Sequence, residues 1–314
     1  MNTAGDGPPG SRGVTRTARP APQSEPSAQQ PLRPDDPART YAPRQDAAET
    51  KADSHHAWNA TDEFGYFYTA PTQDSIHPFF ANALSDYVSQ SASDQVSVLQ
   101  AGCLAPLPEL GIGRLTDSGC RVSVTVADED TPLTRQVLDA TGENYDYVIT
   151  GDLRTVAIPQ RAFGIVYCAG LLERVRHVEL VLDHLTGALK PGGLLMIRMG
   201  DRRTASGLLD RMLPNLARRR LWRGLHPGTP GPFPAVYEKP VSERGIYSYT
   251  LMRGLVVAQH VAEPTLQANP ARLSSTVRGA CAVISRLSRG RFGDDHDELL
   301  YVIRKPQNRF ARVV

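Results

Sequence analysis

Long hydrophobic runs, paired cysteines and an excess of charge of one sign are all scarce in this 314-residue chain. No apolar run approaches the roughly 20 residues of a membrane span, and the amino terminus lacks the hydrophobic core of a signal peptide. The four cysteines, at positions 103, 120, 168 and 281, show no paired metal spacing. We therefore expect no metal site, no membrane partner, and buried thiols in a reducing, cytoplasmic compartment.

The composition changes along the chain and predicts three regions. Residues 1–57 are dense in Pro, Ala, Ser, Gln, Arg and Asp and show no helical or strand period, so we expect a disordered N-terminal tail. Aromatic residues then become frequent over residues 58–95, and these rings favour an N-terminal segment that packs on the main domain. Residues 96–314 form the main domain, with a late insertion around residues 201–295 that is rich in arginine, proline and glycine.

The clearest structural signal in the main domain is a strand–helix–strand unit between residues 151 and 198. Phe163–Ala169 is almost wholly apolar, as a strand buried on both faces should be. An apolar stripe at helical spacing follows it: Val178, Val181, Leu182, Leu185 and Leu189. Pro191 and two glycines then predict a sharp reversal into a strand over residues 194–199. Such crossovers are right-handed, so the two strands should be parallel.

Further apolar runs predict the rest of a sheet. They lie at residues 96–103, 121–127, 147–150 and 297–305. Because these runs alternate with helical segments, we expect the strands ending at Ala101, Ala127, Thr150, Ala169 and Met199 to share one sheet, with their carboxyl ends on one edge.

Two short motifs give this passage a family resemblance. LLERV at residues 171–175 and LKPGG at residues 189–193 make residues 96–199 resemble class I S-adenosylmethionine-dependent methyltransferases. The resemblance implies an α/β, Rossmann-like, seven-stranded sheet, mostly parallel, whose terminal strand runs antiparallel beside the fifth. It also implies S-adenosylmethionine as cofactor and an N-terminal helical or lid segment over residues 58–95.

The same resemblance implies a set of cofactor-binding positions. An acidic residue after the second strand of the family accepts the ribose hydroxyls; Asp128 is the first choice here and Glu129 the second. Asp152, after the third strand, corresponds to the residue that binds the adenine amino group. The cofactor contacts expected in this way are Gln100, Gly102, Cys103, Asp128, Glu129, Asp152, Leu153 and Ala169.

The glycine-rich motif departs from the family pattern. Gln100 stands where an acid is usual, and Leu104-Ala105-Pro106 replaces the second and third glycines, which removes backbone freedom and one N–H donor. The leading prediction is methyl transfer to a small-molecule acceptor. A catalytically silent, methyltransferase-like binding protein is the alternative that the lost glycines suggest.

The acceptor side is less defined by sequence. No residue stands out as a catalytic base. His226, Tyr237, Tyr247 and His260 are candidates for acceptor contact because they lie in or near the late insertion. The arginines of residues 206–222 favour a solvated helix face, and the chain carries no nucleic-acid reader motif, so nucleic acid is not the expected partner.

Overall fold

A computed structural model describes residues 76–307, except 92–93, 104–109, 118, 142–144, 226–231, 233 and 266–271. The predictions for the tail at residues 1–57, and for residues 58–75 of the proposed lid segment, lie outside these residues. None of the described helices is long and apolar enough to cross a membrane.

The strands alternate with helices along the chain. The strands are β1 (Gln95–Ala101), β2 (Arg121–Asp128), β3 (Tyr147–Thr150), β4 (Phe163–Ala169), β5 (Leu189–Gly200), β6 (Val256–Glu263) and β7 (Glu298–Arg304). The helices are α1 (Pro78–Gln90), α2 (Ile112–Asp117), α3 (Pro132–Thr141), α4 (Val178–Ala188), α5 (Ala205–Met212), α6 (Asn215–Leu225), α7 (Glu243–Met252) and α8 (Arg272–Leu287).

All seven strands form one sheet in the order β3-β2-β1-β4-β5-β7-β6. The first five strands of the chain pair in parallel, and β7 pairs antiparallel with both β5 and β6. This is the arrangement that the resemblance implied. The predicted fold class, and the shared edge for the five strand ends, are confirmed.

The central strands of the sheet are buried on both faces, because their residues alternate between two apolar cores. On β4, for example, Val166 and Cys168 belong to one core, and Ile165 and Tyr167 to the other. Helices α4 and α7 cover the first face. Helices α1, α2 and α3 cover the second, where the Phe80 ring of α1 packs edge-on against Tyr167 at 5.5 Å. Part of the predicted lid segment is thus a helix that packs on the sheet.

Two local predictions need correction. The prediction of one helix over residues 206–222 is wrong. Pro214 cannot continue the α-helical hydrogen bonding, so the segment forms α5 and α6 instead.

The prediction for the paired glycines after Pro191 is correct for only one of them. Gly192 has a positive φ, of +82°, and Gly193 does not. Gly193 is required for space, because a Cβ there would lie 2.8 Å from the Gly164 carbonyl oxygen.

Candidate active site at the carboxyl edge of the sheet

The carboxyl ends of β1 and β4 lie side by side, and the chain goes from β1 to β2 on one side and from β4 to β5 on the other. Ligands of doubly wound sheets bind at such a switch point. Gly102 follows β1 with φ of +91°, and a Cβ there would lie 3.2 Å from the Ala169 carbonyl oxygen. The fold itself therefore requires glycine at this position.

A buried ion pair occupies this switch point. The Arg174 Nη2 atom, from the turn after β4, donates to both carboxylate oxygens of Asp128 at 2.9 and 2.7 Å. The side chains of Arg174 and Asp128 are 5% and 0% exposed. The same nitrogen would lie 3.3 Å from a Cβ placed on Gly102, so the guanidinium lies against the backbone where β1 ends.

Asp128 is saturated by this arrangement. Besides the guanidinium, its two oxygens accept the backbone N–H groups of Cys103 and Glu129, at 2.9 and 2.7 Å. The carboxylate thus connects the ends of β1, β2 and β4. Its predicted contact with the ribose hydroxyls would require Arg174 to release part of this network, so that role remains a prediction.

Two of the remaining predicted residues, one near the end of β1 and one in the loop that follows, make contacts within this part of the chain. The buried amide of Gln100 donates from Nε2 to the Gly102 carbonyl oxygen at 2.9 Å. The Cys103 thiol is also buried, and burial, with the adjacent Asp128 carboxylate, raises its pKa well above the usual range. This cysteine is therefore a packed thiol and not a nucleophile.

Glu129 differs from Asp128 because its carboxylate is half-buried and accepts no hydrogen bond from the described residues. Burial raises the pKa of Glu129, and the nearby Arg174 partly offsets that effect. Asp152 is close enough to contribute to the same shift. The ends of β2 and β3 therefore bring two carboxylates together at the sheet edge.

Asp152 and its neighbour Leu153 take different environments. Asp152 accepts hydrogen bonds from the Arg154 side chain at 2.8 and 2.5 Å, which lower the Asp152 pKa to about 2. Leu153 is fully buried in the core, as is Ala169 at the end of β4. Only backbone atoms of these two apolar residues could contact a ligand, and their cofactor roles remain predictions.

Glu173 is a titratable residue of the site that the sequence analysis did not identify. It precedes Arg174, and its Oε2 atom is buried with no hydrogen-bond partner in the described part of the chain. Burial raises the Glu173 pKa to about 7. Hydrogen bonds from the backbone N–H groups of Glu173 and Gly200 stabilise the ionised carboxylate and partly offset this rise. A carboxyl group poised near neutral pH at a ligand edge is a candidate general base.

The residues proposed to contact the acceptor do not form one group in the structure. Tyr237 is buried, and its backbone N–H donates to the Glu173 carbonyl oxygen at 3.0 Å. The ring of His260 stacks on Tyr301 at 4.4 Å, and Tyr247 packs edge-on against both. His260 lies three residues before the end of β6, so this aromatic group is set back from the edge. His226 lies outside the described residues.

His296 takes a structural role near the same edge. Its Nε2 atom lies 3.2 Å from a carboxylate oxygen of Asp201, and its Nδ1 atom lies 3.1 Å from Asp295. These two carboxylates raise the His296 pKa to about 9. Among the residues that the structure describes, no group of three His, Cys, Asp or Glu side chains could hold a metal ion.

We expect His296→Gln to flatten the pH dependence of stability above neutral pH. A histidine whose pKa is raised by folding contributes fully below its unfolded pKa, near 6.5, and loses that contribution as the pH rises through about 9. The free energy of unfolding of wild type minus that of the variant should therefore be larger at pH 6 than at pH 9.5, by about 2 to 3 kcal/mol. Urea unfolding at both pH values measures this difference, and a constant difference would contradict the ion pair.

Known proteins resemble this chain only distantly. No protein-family model matches the chain, and no curated protein matches it. Two matching solved structures are S-adenosylmethionine-dependent methyltransferases from Mesorhizobium loti and Archaeoglobus fulgidus. The first is 16% identical over 71% of this chain and 96% of that chain, with a TM-score of 0.42. The second is 12% identical over 74% of this chain and 95% of that chain, with a TM-score of 0.43. Similarity this distant does not bear on activity, which we argue from the chain's own residues.

Proposed function

We propose that this chain is an S-adenosylmethionine-dependent methyltransferase that acts on a small-molecule acceptor. The observation that carries the proposal is the Glu129 carboxylate. It is half-buried, accepts no hydrogen bond from the described residues, and follows β2 at the edge where the parallel strands end. A carboxylate in this position offers two acceptor oxygens at a spacing that suits a vicinal diol.

The residues present fit the cofactor if Glu129, the second choice, binds the ribose hydroxyls in place of Asp128. Asp128 has its oxygens engaged by Arg174 and two backbone N–H groups, so we assign the ribose hydroxyls to Glu129. Asp152 would accept from the adenine amino group. The Arg174 guanidinium, beside Gly102, would face the methionine carboxylate, since arginine pairs well with carboxylates.

The cofactor would supply an electrophilic methyl group at this edge. The chain's own part is to position the acceptor and to remove its proton. Glu173 is the residue that we assign to proton removal, because its buried Oε2 atom has no hydrogen-bond partner among the described residues and its pKa lies near neutral. Above pH 7 the ionised carboxylate would accept a proton from an acceptor bound over the ends of β4 and β5.

We expect Glu129→Gln to weaken S-adenosylhomocysteine binding by about 10- to 100-fold, because hydrogen bonds to a charged group contribute about 1.5 to 3 kcal/mol. The matched control is Asp130→Asn. It removes the same charge one residue further on, from a carboxylate that is exposed and paired with Arg135. Isothermal titration of both variants is the measurement. Equal binding by wild type and Glu129→Gln would remove the ribose assignment.

A specific observation also favours a second candidate function. The buried Arg174–Asp128 pair, hydrogen-bonded at 2.9 and 2.7 Å, already occupies the switch point. If that pair does not yield to a ligand, the chain is a catalytically silent binding protein of the methyltransferase fold. Titration of S-adenosylmethionine into the purified protein separates the two candidates.

A further inference from the structure

A cavity of about 320 Å³ lies beyond the end of β5. We call it the basic pocket. It is lined by Arg202, Arg203, Arg211, Lys239, Ser242, Arg291 and Phe292. These residues come from four separate stretches of the chain, and none of the described residues that line the pocket is acidic. Its volume is at the lower end of the range of roughly 300 to 1,000 Å³ typical of small-molecule sites.

The cations of the basic pocket lack counter-charges. Arg202, Arg203, Lys239 and Arg291 form no ion pair with any described residue. Other arginines nearby are neutralised: Arg218, for example, pairs with Asp210 at 2.7 Å. Like charges held around one cavity repel one another, so this arrangement destabilises the empty protein unless an anion occupies it.

Arg211 is held in place within the pocket. Its Nε atom donates to the Gly207 carbonyl oxygen and its Nη2 atom to that of Arg202, both at 3.1 Å. The guanidinium also lies over the Tyr237 ring, 6.0 Å from the centroid. Burial, together with the neighbouring Arg202, lowers the Arg211 pKa. Its position is therefore set before any ligand arrives, which favours recognition.

The basic pocket adjoins the candidate active site through Tyr237. This ring contacts Arg211 on one side, while a Cβ at Gly200, the last residue of β5, would lie 2.8 Å from its hydroxyl oxygen. The Tyr237 backbone in turn hydrogen-bonds to the Glu173 carbonyl oxygen. The basic pocket and the Glu173 backbone therefore both adjoin Tyr237.

We propose that the basic pocket binds a phosphate group of a small-molecule acceptor. Several guanidinium groups around one cavity match the tetrahedral oxygens and double charge of phosphate, and Phe292 offers an apolar surface to the remainder of the molecule. A small molecule is favoured over a nucleic-acid strand because the cations converge on one cavity. Assigning this phosphate to the methyl acceptor rests on the proposed function; the anion site itself does not.

The test is titration of inorganic pyrophosphate into the full chain. We expect one binding site in wild type, with affinity reduced at least tenfold in the Arg203→Gln/Lys239→Gln double variant, since each lost cation removes a charge-assisted hydrogen bond. The matched control is Arg219→Gln/Arg220→Gln, which also removes two exposed positive charges, from α6 outside the pocket. This control should bind pyrophosphate within twofold of wild type.

Three outcomes would overturn the proposal. Absence of pyrophosphate binding by wild type would show that the pocket is not an anion site. Equal weakening in the two double variants would show that general charge and not the pocket is responsible for binding. Tighter binding of a single-stranded oligonucleotide, lost equally in both variants, would identify a polymer-binding surface instead. S-adenosylhomocysteine titrated into the pocket variant should bind as in wild type, so failure of the proposed function would be seen separately.

Discussion

Arg174→Ala should lower the free energy of unfolding by about 3 to 5 kcal/mol, because removing one partner of a buried ion pair leaves the other charge uncompensated. The Asp128 carboxylate is fully buried and would lose its cationic partner while keeping the backbone N–H donors of Cys103 and Glu129. Chemical denaturation at neutral pH measures the loss.

The control for this prediction is Arg176→Ala. Arg176 lies two residues further along the chain and is exposed, so its loss should change stability by less than about 0.5 kcal/mol. The double variant Arg174→Ala/Asp128→Asn should be more stable than the sum of the single effects implies, since the buried charge is then gone as well. An Arg174→Ala protein as stable as wild type would contradict a buried pair.

Glu173→Gln should raise stability at pH 8 and reduce methyl transfer at the same time. Burial raises the Glu173 pKa from 4.5 to about 7 in the folded chain. As the pH rises from 4.5 to 7, the Glu173 carboxyl ionises in the unfolded chain before it ionises in the folded chain. The free energy of unfolding of wild type therefore falls by up to about 3 kcal/mol, whereas a neutral glutamine at this position causes no such fall. If Glu173 removes the acceptor's proton, the same variant should lose about 10²- to 10⁴-fold in rate.

Unfolding at pH 4 and pH 8 measures the stability effect without knowledge of the acceptor. Wild type and Glu173→Gln should be equally stable at pH 4 and should separate at pH 8. Glu179→Gln, at an exposed position in the first turn of α4, is the control and should shift stability little at either pH. A Glu173→Gln protein that is less stable than wild type at pH 8 would show that the ionised carboxylate is satisfied in the fold.

The fold could be predicted because its signals are local. The apolar runs of β1 and β4, and the helical stripe of α4, identify buried elements from the spacing of neighbouring residues. The ends of the elements were less accurate. The strand predicted over residues 194–199 is only the second part of β5, which already begins at Leu189.

The candidate site was predicted only in part, because its decisive contacts join distant residues. Arg174 was noted as part of the LLERV motif, but its partner Asp128 is 46 positions away in sequence. Nothing in the spacing of either residue indicates that they meet. The basic pocket escaped prediction for the same reason, since Arg203, Lys239 and Arg291 are adjacent only in the folded chain. Glu173 could not be singled out because burial, not sequence, raises its pKa.

The most direct test of the central claim, that the edge beside Glu129 binds an adenosyl cofactor, is isothermal titration of S-adenosylhomocysteine into the wild-type protein. Our account predicts one binding site per chain, with affinity that falls when Glu129 is replaced by glutamine and stays unchanged in Asp130→Asn. An absence of binding at millimolar concentration would contradict it and would favour the catalytically silent alternative.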